Sequence, residues 1–208
     1  MLKTTIDRIA KPSIPLILYG QLKGYESRPF AVLLKILFST GSLSRKISDR
    51  YPRDLRKVSA LIYSIYHHYA NEMDNRRALA LTKALTIPFA LSVQMANFRY
   101  VESDRSFTDL IQYQKRTNSD GPTRMNKMTI VEENDRNYIF EIRGECCFFN
   151  IFSALGAPEL TTVFCETDNA IFNIYRPDEI TFERSGTGKR IVDGASACTF
   201  ICRSNGGD

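Results

Sequence analysis

Cysteines, one arginine and one aspartate carry most of the chemistry open to this 208-residue chain. Cys146 and Cys147 follow Gly144 and open a segment with the composition of a helix. There, unsatisfied backbone N–H groups stabilise a thiolate. Cys165 and Asp168 are three apart on the next predicted helix and are therefore neighbours on its surface. In Ile180-Thr181-Phe182-Glu183-Arg184 the apolar parity of Ile180 and Phe182 continues to Arg184. An arginine on an inward parity must reach water or meet an anion, and its planar fork fits a carboxylate on the protein or on a ligand. Cys198 and Cys202 flank Phe200 on one face of the last strand, where a cysteine is more often a small hydrophobe than a nucleophile.

Other chemistries are poorly represented. No Cys-x-x-Cys pair is present, and the two histidines, His67 and His68, fall together on a distant amphipathic helix. A metal site is therefore not expected, and these histidines read as surface or packing residues. The run Ser185-Gly186-Thr187-Gly188-Lys189-Arg190 lacks the spacing of a phosphate loop and reads as the start of a connection. There is no Gly-x-Ser-x-Gly elbow and no dinucleotide fingerprint.

The elements that must position these residues change period half-way along the chain. Residues 1–57 read as a basic extension of short helices and loops, including a helical segment from Ala31 to Ser39. Val58, Leu61, Ile62, Ile65 and Tyr69 then recur at helical spacing, and a second helix runs from Asn75 to about Phe98 across Pro88. Phe107 to Lys115 reads as a shorter helix before the loop at Gly121-Pro122. Beyond it Met128 and Ile130 alternate with Thr129 and Val131, and Tyr138, Phe140 and Ile142 alternate with more polar neighbours, predicting a hairpin. A helix from about Glu145 to Gly156 follows, then one from Ala157 to about Tyr175, then strands at Glu179–Arg184 and Ala197–Arg203. The fold class is α+β: a helical N-terminal half, then β-β-α-α-β-β with a four-stranded antiparallel sheet carrying helices on one face. Residues 58–208 are read as one domain. On a straight helix Cys165 points away from the stripe of Leu160, Val163, Phe164, Ile171 and Ile174. Either the N-terminal helices cover that side and form a pocket, or the helix breaks there.

Composition bounds the rest. A hydrophobic fraction of 43% with 25% charged residues describes a globular chain rather than a disordered one. Five irregularly spaced cysteines without a signal segment fit reduced thiols in a cytoplasmic protein. Residues 1–60 hold twelve Lys/Arg against four acids, whereas the remainder is net acidic. This basic N-terminal region reads as a solvated face or as a peripheral membrane or protein contact; no nucleic-acid motif accompanies it. The oligomeric state is not legible.

Between Arg143 and Arg203 several pieces occur in one order. They are Cys146, Leu155-Gly156-Ala157-Pro158-Glu159-Leu160, Cys165-Glu166-Thr167-Asp168, Phe182-Glu183-Arg184, Thr187, Gly194 and Cys198-Thr199-Phe200. Together they resemble the signature region of the L-2-amino-thiazoline-4-carboxylate hydrolase family. A looser, fold-level similarity is to 4-vinyl-reductase-type ligand-binding domains. The hydrolase resemblance implies cofactor-independent opening of a C–N or C–S bond in a small heterocyclic substrate. It implies Cys146 as nucleophile or water-positioning group, Asp168 as acid/base and Cys165 as a catalytic neighbour. Arg184 would anchor a substrate carboxylate, with Cys198 and Thr187 beside it. The alternative is a non-enzymatic small-molecule or metal-binding sensor domain using the same cysteine-lined pocket.

Overall fold

A computed structural model of the chain describes residues 13–99, 106–121, 123–173, 175–184, 186 and 188–206. Thr187 and Ile174, with the basic Lys3, Arg8 and Lys11, lie outside the described residues. The helical half comprises α1 (Ile14–Leu22), α2 (Pro29–Ser44), α3 (Arg53–Ala70), α4 (Asn75–Arg99) and α5 (Phe107–Ser119). The hairpin of β1 (Met128–Glu133) and β2 (Asn137–Arg143) leads to α6 (Cys147–Ala154) and α7 (Thr161–Phe172), then β3 (Ile180–Arg184) and β4 (Ala197–Ser204). Single turns of 3-10 helix precede α7 at Pro158–Leu160 and β4 at Ile191–Asp193. This is the α+β arrangement that the change of period predicts.

Local chemistry explains the boundaries. Pro29, with no N–H to leave unpaired, opens α2. Ser106 and Asp109 close a reciprocal capping box at the start of α5, the Asp109 N–H donating to Ser106 Oγ and the Ser106 N–H to Asp109 Oδ2. Gly156 ends α6 in the left-handed region at φ 78°, with Ala157 N–H donating to the Phe152 carbonyl and Gly156 N–H to that of Ser153. The helix expected from Glu145 begins two residues later, so Cys146 is the extended residue just before α6. The helix expected over 157–175 opens as a 3-10 turn, and its α part stops at Phe172. It does not break at Cys165. Instead α7 is continuous, and α4 packs along it, tied by Lys83 Nζ to Glu166 Oε1 at 2.5 Å.

The sheet runs β1-β2-β4-β3 and is antiparallel throughout. One face, bearing Tyr138, Phe140, Ile142, Ile180, Phe182, Cys198, Phe200 and Cys202, is buried beneath α5 and α7. The other carries partly open pairs such as Arg203–Glu183 and Arg143–Glu141. Strict alternation fails only in β1, where the register shifts between Ile130 and Glu132. Ile130 and Val131 are exposed there, because a bulge adds an unpaired residue and twists the edge strand away from the helix layer.

Buried residues form two clusters. One joins α1–α4 with α6 and the start of α7; the other joins the sheet with α5 and the end of α7. Half-buried Cys146 packs against both. No described helix is long and apolar enough to cross a membrane.

Candidate active site

Strand register builds the polar wall of the site. Phe140, Phe200 and Arg184 face one another across β2, β4 and β3. The two rings stack at 4.6 Å between centroids with 6° between their planes, and the Arg184 guanidinium lies 4.5 Å over the Phe200 ring. Such a stack over an aromatic face is attractive electrostatically and holds the guanidinium plane in one orientation. Arg184 Nη1 then reaches across to α7, donating to Asp168 Oδ2 at 2.5 Å and to the Cys165 carbonyl at 3.3 Å. Arg184 is nearly fully enclosed, with 7% of its side chain exposed, whereas 37% of the Asp168 side chain is open.

This pair sits on the wall of a cavity of about 370 Å3 between the two cores. Cys146, Cys165, Asp168, Arg184 and Cys198 all line it, so five residues from four separate segments converge. Phe89, Phe148 and Phe164 close it on the helical side, Phe140, Phe172 and Phe200 on the sheet side. Two polar atoms of the wall are buried with no hydrogen-bond partner: Arg184 Nε and Thr161 Oγ1. Unpaired buried donors are costly, and here both belong to residues that a ligand in the cavity would meet.

Burial dominates the electrostatics. It pushes the Asp168 carboxyl above the ordinary carboxylate range, against the opposing pull of the Arg184 guanidinium. It raises the Cys146 thiol too, although the N–H groups of Phe149 and Phe148 at the opening of α6 and the charge of Arg184 act the other way. Cys165 is pushed up to about 11, again by burial, with Arg184 opposing. At the opening of α6 the backbone N–H groups favour the Cys146 thiolate and burial disfavours it, burial being the larger influence. Cys147 and Cys202 do not line the cavity; both are packed in the cores with thiols raised by burial to about 12.

Other candidates resolve plainly. His67 stacks on Tyr63 and His68 lies edge-on to Tyr69, both at the C-terminal end of α3 and off the cavity. The glycine-rich run after β3 is closed on its own chain: Gly188 N–H donates to Asp193 Oδ2, and Arg190 holds the same carboxylate. Among the described residues no three His, Cys, Asp or Glu side chains come together to hold a metal ion.

A family model for L-2-amino-thiazoline-4-carboxylic acid hydrolase matches residues 55–202, more than half of the chain. The chain belongs to this family. The match to the aminothiazoline-carboxylate hydrolases takes in nearly all of α3, then α4 and α5, as well as the motif region, so the cavity's helical wall apart from Ile14 and Asp54 lies within the family's extent. Neither a curated protein nor a solved structure matches the chain.

Several wall residues escape a motif-based reading of this hydrolase-family chain. Gln114 is buried on α5 among Leu110, Ile111 and Tyr113, and a polar residue on an apolar stripe is a signal that could have found it. Asn126 accepts a hydrogen bond from the Cys147 N–H at 2.8 Å, so a loop side chain caps α6 beside Cys146. Phe89 and Thr161 carry no local signal; tertiary packing alone brings them to the cavity.

Proposed function

We propose that this cavity binds a small heterocycle and opens its C–N or C–S bond by hydrolysis. The observation that carries the reading is the Arg184–Asp168 pair set in an aromatic cavity beside Cys146, Cys165 and Cys198. Arg184 Nη1 is committed to Asp168 and the Cys165 carbonyl, and the charge it brings to the cavity wall suits a ligand carboxylate or carbonyl. Asp168, with its carboxyl raised, is suited to deliver and receive a proton. For an aminothiazoline carboxylate, water oxygen bonds to the ring carbon between nitrogen and sulfur, and the carbon–sulfur bond breaks. The oxygen becomes a urea carbonyl; one water proton ends on the ring nitrogen and the other on the departing sulfur. Asp168 passes these protons. Cys146, half-buried on the cavity wall, positions the water. The water-poor aromatic walls strengthen each of these polar contacts.

Incubation of the full chain with the aminothiazoline carboxylate, with chromatographic detection of N-carbamoyl-cysteine, tests the reading. Product is expected with the wild type. The second reading, ligand binding without turnover, is favoured by the raised thiols and apolar walls, and binding without product would select it. Neither binding nor product would reject this substrate.

A further inference from the structure

We propose that the α1–α2 hairpin docks on an anionic phospholipid bilayer. The inner faces of both helices bury Leu18, Leu22, Val32, Leu33 and Ile36 in the helical core. Their outer faces are apolar as well: Leu16 is 71% exposed, Phe30 62%, Leu34 38% and Phe38 77%. Spacing by four sets Phe30, Leu34 and Phe38 in one stripe of α2. Phe30 meets the Tyr19 ring edge-on at 6.5 Å, and Leu16 lies one turn from Tyr19, so the stripe continues onto α1. Scattered exposed apolar residues are ordinary; a contiguous row across two helices marks a contact surface. Helices apolar on most of their circumference belong in a core or a membrane environment, and these two lie at the surface with Lys35 as their one charged residue.

Charge identifies the occupant. Residues 13–53 contain seven Lys/Arg and two acids, Glu26 and Asp49, and Glu26 lies beside the buried Tyr69 hydroxyl. Beyond Phe38 the stripe leads to a second cavity, of about 270 Å3, lined by Gly41, Ser44, Arg45, Arg53, Arg56 and Lys57. No acid lines it, and Arg56 Nε is buried without a partner. Apolar side chains bordered by cations, with a cationic cavity able to take a phosphate, match the boundary of an anionic bilayer. A second copy of the chain would bring two such positive surfaces together and is disfavoured for that reason.

Flotation of the full chain tests this. It is expected to float with vesicles of phosphatidylcholine containing one-third phosphatidylserine, not with pure phosphatidylcholine, and to detach as salt is raised. Phe38→Asp is expected to weaken binding at least tenfold with an unchanged melting temperature. Should that variant misfold, the Arg45→Gln/Lys46→Gln double variant, confined to exposed residues, is expected to weaken it by a similar factor. Three results would overturn the proposal: no flotation of the wild type, equal binding to both vesicle types, or a wild-type dimer dispersed by Phe38→Asp.

Discussion

The two cores of this molecule differ in what they bury. The helical core of α1–α4 and α6 is apolar apart from hydroxyls, the phenols of Tyr51, Tyr66 and Tyr69 and small ones such as Thr82, which donates to the carbonyl one turn back. The sheet core encloses an arginine and brings a carboxylate to meet it. α7 passes from one core to the other, with Leu160 of the preceding turn and Val163 in the first and Ile171 and Phe172 in the second. Between them it presents Cys165 and Asp168 to the cavity. The contrast suggests a division of labour: apolar packing holds the scaffold, and the seam, where packing is incomplete, holds the chemistry.

Substitutions on either side should separate these roles. Asp168→Asn, on the seam, is expected to lower turnover about 10²–10⁴-fold, the range for losing a general acid or base, measured as product formed per minute. Its stability should fall too, by about 3–5 kcal/mol, because the enclosed Arg184 guanidinium loses its charge partner. Phe152→Ala, in the helical core and fully buried, is expected to cost stability alone. It should cost about 3–5 kcal/mol in denaturant titration while the folded fraction keeps its turnover.

Alkali should act on both cores together. Burial holds the Cys147 and Cys202 thiols at about 12, against an ordinary value of 9.0. Below about pH 9 both are protonated folded or unfolded, so their contribution to stability is intact. Between pH 9 and 12 the unfolded chain ionises them first, and stability is expected to fall by on the order of a few kcal/mol. Serine in place of both cysteines should flatten that decline in a pH series of melting curves. The smallest effect belongs to Gly156→Ala, expected to cost about 1 kcal/mol because the left-handed end of α6 disfavours a Cβ.

The fold was largely legible because its signals are local. Alternation in β2 and β4 set Phe140 and Phe200 inward, and Gly156 marked the end of α6. The bulge after Ile130 was not legible, since an edge strand loses its alternation without any composition cue. For the candidate site, the inward parity of Arg184 required an anion or an outlet to water, and the structure supplies Asp168. Which way Cys165 faced depended on the assembled cavity, where it meets Arg184 of β3 and Cys198 of β4. Phe89 and Asn126 were invisible for the same reason: their roles exist only in the assembled core.

The most direct test of the cavity as a ligand site is the alkylation rate of each cysteine near neutral pH, with and without the aminothiazoline carboxylate. Cys146, half-buried and facing the cavity, is expected to label fastest and to be protected by the ligand, while Cys147 and Cys202 stay unlabelled in the native protein. Equal labelling of Cys146, Cys147 and Cys202, or labelling of Cys146 that the ligand leaves unchanged, would contradict the placement of ligand chemistry at this seam.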